Sequence, residues 1–177
     1  MKQIITTIKT SLALGLFALT TTLSYGQTTV YDVIAASPNH TYLTAALDQE
    51  GLDVVLDDDL ATFTVFAPDN AALDNLATAL GTDIAGLLAN PGLSEILLYH
   101  VLTGSVESSA ITNGQIVTPA NNVNTLKLTI TAGSEVFVNQ AQVNAADLAG
   151  SNGFVHSLDA VLVPIIRAGA ENTGGTY

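Results

Sequence analysis

In the stretch 152–164, near the end of the chain, residues 154–159 alternate between two faces and a continuous apolar run follows at 161–163. The stretch opens with Asn152-Gly153, which is a turn signal, and it ends at Pro164. Alternation with a period of two predicts an extended strand with two distinct faces. One face carries Phe154, His156 and Leu158, and the other carries Val155, Ser157 and Asp159. We expect this strand to be central and buried, because both faces contain large apolar residues.

Helical spacing of apolar residues predicts several helices in the first part of the chain. They cover residues 28–36, 39–50, 82–88 and 91–102, and another follows Pro68 with Asp69 or Asn70 as its N-cap. In the helix after Pro68, the predicted buried stripe consists of Leu73, Leu76, Ala77 and Leu80. A single alternating strand, 62–67, lies among these helices.

After Gly104 the pattern changes to short alternating segments, which predict strands. The segments are 115–118, 124–131, 135–139 and 142–144, and 146–150 is interpreted as a turn or brief helix. Helices followed by strands, with one early strand, are typical of an α+β domain. With 177 residues, of which 48% are hydrophobic, the chain can bury one core of ordinary size.

The first 26 residues have the pattern of a secretory signal peptide. Lys2 and Lys9 give a positively charged segment before a short apolar run, 11–19. Small residues near Gly26 allow cleavage there. The run is too short to favour a membrane span. We therefore expect an exported chain, periplasmic or extracellular, with a domain at 28–164 and a flexible tail at 165–177. The absence of cysteine from an exported chain favours a bacterial source.

The mature chain is expected to be strongly acidic. All 16 acidic residues but only two of the four basic residues follow position 26, which gives a net charge of −14. This charge argues against nucleic acid and anionic membranes as partners. The densest acidic run, Asp57-Asp58-Asp59, is compatible with a divalent-cation loop or with a solvated turn, and the EF-hand spacing is absent.

Four polar residues are predicted to lie within or beside the core: Asn70, His100, His156 and Asp159. The predicted helix 91–102 is apolar on most of its circumference, so we expect His100 to be buried. Buried polar groups need hydrogen-bond partners. We therefore expect these side chains to form a polar network that joins helix and strand.

The residues that hydrolytic chemistry needs do not come together in the sequence pattern. Ser157 and His156 are neighbours on a predicted strand, so their side chains point to opposite faces. Three histidines are present, and we expect His100 and His156 to be buried, which leaves too few ligands for a catalytic metal. We therefore expect no catalytic residues, no bound metal and no cofactor.

Three blocks of the sequence resemble the signatures of fasciclin (FAS1) domains. The block 63–73, Phe-Thr-Val-Phe-Ala-Pro-Asp-Asn-Ala-Ala-Leu, is similar to the first signature, with Asp69 and Leu73 in place of the usual Thr and Phe. The block 98–102 is similar to the family's Tyr-His block, and 152–164 is similar to its second signature. The blocks occur in the family's order, and the resemblance spans roughly 28 to 164.

The resemblance implies a β-wedge of about seven short strands packed beside a group of α-helices. It implies an adhesion or extracellular-matrix module that binds a surface or matrix protein or polysaccharide, without catalysis. Binding in animal relatives has been attributed to the Tyr-His block and to an Asp-Ile pair, which places candidate binding residues at Tyr99, His100 and Asp159. A module that binds glycans or small ligands is the alternative, although few aromatic residues are present to stack on sugars. The sequence predicts no oligomeric state.

Overall fold

The computed structural model describes residues 28–164. The predicted signal peptide, 1–26, and the predicted tail, 165–177, lie outside the described residues. Within the described range the helices come first and most strands follow, with one strand among the helices. The α+β class predicted from the sequence is therefore confirmed.

Six α-helices form within the described range, and side-chain caps begin several of them. Thr29 and Asp32 form a capping box at the first helix, and the Asp69 carboxylate accepts a hydrogen bond from the Ala72 amide at the fourth. The helices are α1 (Val30–Ala35), α2 (Thr41–Glu50), α3 (Asp53–Leu56), α4 (Asn70–Ala79), α5 (Ile84–Leu88) and α6 (Leu93–Tyr99).

Seven strands of the described range form one sheet in the order β2-β1-β7-β6-β5-β4-β3. Only β1 and β7 run parallel among these strands, and the other neighbours are antiparallel. The strand predicted to be central, β7, lies inside the sheet between β1 and β6. The strands are β1 (Phe63–Pro68), β2 (Val101–Thr103), β3 (Ile116–Val117), β4 (Leu126–Ile130), β5 (Val136–Val138), β6 (Ala141–Gly150) and β7 (Gly153–Leu158).

Apolar side chains form two clusters, and β1 and β7 contribute to both. Phe63, Val65 and Ala67 pack with side chains of the helices, whereas Phe66 packs in the second cluster together with Leu158. Successive side chains of a strand point to opposite faces, so the clusters lie on the two sides of the sheet. The alternation predicted for these two strands is confirmed, and both of their faces are buried.

The side chain of Asn152 ties the start of β7 to the helical side of the fold. Its Oδ1 accepts a hydrogen bond from the Val30 amide at 2.8 Å. Its Nδ2 donates to the carbonyls of Leu56 and Asp58 at 2.8 and 3.1 Å. Asn152 is buried, so a substitution would leave these backbone groups without a partner in a site that excludes water.

Gly153 lets β7 approach β1 closely. Its φ of +148° is strained for any residue with a Cβ. A Cβ built there would lie only 1.7 Å from the Phe63 carbonyl oxygen. The Asn-Gly pair, interpreted from sequence as a turn, therefore also fixes the parallel register in which Phe63 lies opposite Gly153.

The predicted helix 91–102 is too long, and this prediction was wrong at both ends. The helix starts at Leu93 and ends at Tyr99, and Val101–Thr103 forms β2. In β2, Val101 pairs with Val65 of β1 in antiparallel register. The apolar residues after His100 are buried by this pairing with a distant strand, which the local helical spacing does not reveal.

Two other segments also differ from the sequence prediction. The range 146–150, interpreted as a turn or brief helix, belongs to the ten-residue strand β6. Its register with β7 shifts between Val143 and Ala145 and again before Leu148, so the bulges hide the alternation. Leu80, predicted in the buried stripe, caps the end of α4 and is 55% exposed.

Candidate functional site

Tyr99 lies at the junction of α6 and β2, where the sequence placed a candidate binding residue. Its ring packs in the second apolar cluster, and the side chain is only 3% exposed. The phenol donates a hydrogen bond to the Thr125 carbonyl at 3.1 Å and accepts one from Asn139 Nδ2 at 3.3 Å. Tyr99 thus joins α6 to the residue before β4 and to the residue after β5.

His100 is buried directly behind this junction, with 2% of its surface exposed. Its Nδ1 donates to the Ile96 carbonyl at 2.7 Å, because a carbonyl can only accept. Its Nε2 therefore lacks a proton and accepts from the Leu162 amide at 2.9 Å. Burial lowers the pKa of His100 to about 4, against the smaller opposing effect of the Ile96 carbonyl. The neutral ring fastens the segment after β7 to α6.

Asp159, the third candidate binding residue, is exposed just beyond the end of β7. Its Oδ1 accepts a hydrogen bond from the Gln142 amide at 2.7 Å, and its amide donates to the Gln142 carbonyl at 3.1 Å. We expected Asp159 to lie within or beside the core. The structure places it beside the core and not within it. Asp159 does not line the groove that lies in front of Tyr99.

Asn70 is half-buried at the first turn of α4 and connects that helix to α2. Its Oδ1 accepts hydrogen bonds from the Tyr42 amide and the Thr41 hydroxyl, and its Nδ2 donates to the Pro38 carbonyl. The N-cap residue of α2, His40, does not use its side chain to accept a hydrogen bond from the first amides of the helix. Asn70 satisfies one of the free amides of α2 from a different helix.

His156 lies buried on β7, on the side of the sheet that contains Phe66. Its Nε2 donates to the Val106 carbonyl at 2.9 Å, so its Nδ1 is unprotonated and accepts from the Asp147 amide at 3.2 Å. The ring centroid is 5.7 Å from that of Phe66. His156 and His100 are therefore held in opposite tautomers.

Asp147 lies at the bulge of β6 with a φ of 57°. Its carboxylate accepts hydrogen bonds from the amide and the hydroxyl of Ser108. Partial burial raises the pKa of the Asp147 carboxyl, but the two hydrogen bonds from Ser108 outweigh this effect, so the pKa is lowered. No local sequence pattern indicates this contact, because it joins residues 39 positions apart.

The pair of His40 and Ser157 is a buried contact that sequence reasoning missed. His40 Nε2 lies 3.0 Å from Ser157 Oγ, and its Nδ1 lies 2.7 Å from Ser37 Oγ. Burial lowers the pKa of His40, against smaller effects of the Ala67 carbonyl and the Asp69 carboxylate. All three histidines of the sequence are thus buried, whereas we expected two.

A serine and a histidine in hydrogen-bond contact also raise the question of nucleophilic catalysis. Both side chains are buried, at 5% and 4% exposed. Among the described residues, the other nitrogen of His40 contacts a serine hydroxyl and not a carboxylate. The pair joins the loop before α2 to β7, and it gives a substrate no access to the serine.

The acidic run 57–59 does not converge on one point. Asp57 accepts from the Thr29 hydroxyl, Asp58 from the Leu60 amide, and Asp59 from the Ser151 hydroxyl. In the part of the chain that the structure describes, no group of three or more acidic or histidine side chains could hold a metal ion. The geometry fits the solvated turn better than the cation loop.

A groove of about 690 Å³ lies in front of Tyr99. Four separate segments form it: the end of α6, the start of β4, the turn between β5 and β6, and the segment after β7. The lining consists of Tyr99, Asn124, Thr125, Lys127, Asn139, Gln140, Ala141, Ala160, Val161, Leu162 and Val163. Of the three candidate binding residues, Tyr99 lines this groove directly and His100 holds its Leu162 wall in place.

The described lining of the groove carries a positive charge, although the chain as a whole is acidic. Fifteen of the 16 acidic residues lie within the described range, yet none of these fifteen lines the groove. Lys127 is the one Lys or Arg within 28–164, and it does line the groove. Its side chain is exposed and has no hydrogen bond or ion pair with another described residue.

The described residues contain no helix long and apolar enough to cross a membrane. A family model described as the fasciclin domain matches residues 38–164, which is well over half of the chain. The chain is 33% identical over 138 residues to Protein sll1483 of Synechocystis sp.. The alignment covers 77% of this chain and 73% of that protein.

A second relative is the cell surface glycolipoprotein MPB83 of Mycobacterium bovis. It is 35% identical over 135 residues, which are 72% of this chain and 57% of that protein. The chain covers as little as 4% of longer relatives, so it matches one part of them.

A solved structure of a FAS1 domain pair, from the insect cell adhesion molecule Fasciclin I, has a similar fold. The TM-score is 0.65 at 16% sequence identity, and the match covers 76% of this chain and 50% of that one. At this identity the likeness concerns the fold alone. The family model and the bacterial relatives agree with it, and the chain belongs to the fasciclin domain family.

Proposed function

We propose that the chain is an exported adhesion or matrix module that acts by surface binding, without catalysis. The observation that carries the proposal is the groove beside Tyr99, whose rim residues Lys127, Asn139, Gln140 and Val163 are exposed. A partner can reach these side chains without any rearrangement of the core. The fasciclin family includes proteins described as a cell adhesion molecule and as a cell surface glycolipoprotein, which supports a role at surfaces.

The candidate binding residues have different roles in this proposal. Tyr99 and His100 shape the binding surface from beneath, because both are buried and bonded to segments that line the groove. Asp159 is exposed, so it is accessible for direct contact at a neighbouring position. The partner is a cell-surface or matrix protein or polysaccharide, and the acidic surface disfavours nucleic acid.

The proposed site of action is outside the cytoplasm. The first 26 residues have the pattern of a signal peptide, and cleavage near Gly26 would release the chain to the periplasm or the exterior. Fractionation of the producing cells, with mass spectrometry of the N-terminus, tests this part. A chain that stays in the cytoplasm with Met1 attached would contradict it.

An adhesion assay with multivalent display tests the binding role. Beads coated with the folded chain are expected to attach to the producing cells, and an excess of the soluble chain should compete. Beads coated with the unfolded chain are the control for non-specific adsorption. If folded and unfolded coatings attach equally, or if neither attaches, the proposal of an adhesion module fails.

A glycan-binding or small-ligand module is a second candidate function. The groove volume of about 690 Å³ favours it, because small-molecule sites in proteins have volumes of roughly 300–1,000 Å³. The mixture of amide, hydroxyl and apolar lining groups is also suited to sugars. A glycan array probed with the labelled chain separates this function from adhesion to a protein.

A further inference from the structure

The groove combines three kinds of contact. Lys127 provides a positive charge, Gln140 provides a side-chain amide, and Val161, Leu162 and Val163 provide an apolar wall. Gln140 is exposed, and its side chain has no hydrogen bond with any residue in the range 28–164. The side chains of Lys127 and Gln140 are therefore available to bind a ligand. The side-chain amide of Asn139 is already hydrogen-bonded to the Tyr99 phenol and to the Lys127 backbone amide.

The shape of the groove is set before any ligand arrives. The Leu162 amide is held by His100 on one wall, and the Tyr99 phenol holds Thr125 and Asn139 on the other. Asn139 Oδ1 also accepts from the Lys127 amide at 2.9 Å, which fixes the backbone from which the lysine extends. A site supported in this way loses little entropy when it binds.

The charge pattern selects the ligand. The described lining contains one lysine and no carboxylate, which favours a ligand with a single negative charge, while the acidic surface elsewhere repels polyanions with dense charge. That repulsion is screened beyond about 8 Å at physiological salt, so a nearby pair still attracts. A carboxylate on a ring rich in hydroxyls matches the lysine, the amide and the apolar wall together.

We propose that this groove binds a single uronate unit of a polysaccharide whose other sugars are mostly neutral. The carboxylate lies against Lys127, ring hydroxyls bond to the Gln140 amide, and the C–H face of the sugar packs on Val161 and Val163. This inference rests on the proposed role as a surface-binding module and names the chemical class of its partner. No covalent step is involved.

The test uses the full chain with a galactose oligomer that carries one galacturonate unit, the methyl ester of that oligomer and the neutral oligomer without the uronate, measured by calorimetry and by NMR shift perturbation. Methyl esterification removes the charge and keeps the ring. We expect the free acid to bind about fivefold more tightly than the ester, because a partly exposed ion pair contributes about 1 kcal/mol. Shifts should concentrate at Lys127 and Gln140.

Variants assign the effect to the groove. Lys127→Gln should abolish the preference for the free acid, and Lys127→Arg should keep it. Gln140→Ala should weaken acid and ester alike. Asn75→Asp makes the same change in net charge on α4, which has no residue in the lining, and should leave the preference within about twofold. All three positions are exposed, so a thermal melt should confirm that each of the four variants folds.

Three results would overturn the inference: no binding of the uronate, equal binding of acid and ester, or a preference that survives Lys127→Gln. If peptides ending in a free carboxylate bind as tightly as the uronate and lose binding in the same variant, the sugar assignment is wrong. The adhesion assay separates this failure from that of the proposed function. Beads that attach to cells while the uronate fails to bind overturn this inference alone.

Discussion

The burial of His100 predicts a specific loss of stability in mild acid. In the folded chain the ring is neutral, with its Nδ1 bonded to the Ile96 carbonyl and its Nε2 bonded to the Leu162 amide. Protonation would place a second N–H against the Leu162 amide, which is itself a donor. The charged ring would also be buried without a counter-ion. The perturbation is therefore a change of pH from about 7.5 to about 5.

The size of the loss follows from the pKa of His100 in the two states. Burial lowers the pKa of His100 to about 4, from the ordinary histidine value of 6.5. Between these values the unfolded state binds more protons than the folded state, so the free energy of unfolding rises with pH. The contribution is fully present above about pH 6.5 and is lost as the pH falls toward 4. At pH 5 the loss is about 2 kcal/mol, of a full difference of about 3 kcal/mol.

The assay is urea unfolding of the full chain and of His100→Gln at several pH values. Comparing the two chains at each pH cancels the carboxylates, which titrate in both. The stability advantage of the unsubstituted chain should shrink by about 2 kcal/mol between pH 7.5 and pH 5. His40→Gln is the matched control, since it retains His100 and should retain its share of the pH dependence.

NMR of the imidazole nitrogens checks the same reasoning without a variant. The His100 ring should stay neutral at about pH 5, with the proton on Nδ1. A His100 ring that titrates near 6.5 would refute the argument. So would a variant whose stability follows pH in the same way as the unsubstituted chain.

Three further predictions concern the core and are tested by urea or thermal unfolding. Asn152→Ala should destabilise the fold by about 2–4 kcal/mol, because two buried hydrogen bonds and one part-buried hydrogen bond are lost, whereas Asn75→Ala, at an exposed position, should change stability by less than about 0.5 kcal/mol. Gly153→Ala should prevent folding or cost more than about 3 kcal/mol, and Gly133→Ala, where the nearest atom is 3.7 Å away, should be tolerated. His156→Ala should cost about 1–3 kcal/mol, and unchanged stability would contradict its buried hydrogen bonds.

The parts of the fold that could be predicted are those with a local signal. The alternation in β1 and β7 appears in the sequence because both faces of each strand are buried and the strands are regular. β2 was missed because its apolar residues fit a helix equally well, and only pairing with β1 decides between them. The second half of β6 was missed because its bulges break the period of two.

The candidate site shows the same limit more strongly. His100 was expected to be buried because its helix is apolar nearly all round, and the family's Tyr-His block drew attention to Tyr99. The contact of His40 with Ser157 spans 117 positions, and that of Asn152 with Val30 spans 122. No periodicity reports such contacts. The groove is likewise built from four separate segments, so neither Lys127 nor Gln140 had a signal of its own.

The stretch 152–164 connects the stability of the domain to the shape of the groove. Its first residue, Asn152, forms hydrogen bonds with α1 and with the acidic run 57–59. Its middle is the core strand β7. Its last residues form the apolar wall of the groove, held there by His100. A core substitution in β7 should therefore lower stability and leave ligand affinity intact in the folded fraction. His100→Gln should lower both, because the hydrogen bond between His100 and the Leu162 amide belongs to the core and to the wall at once.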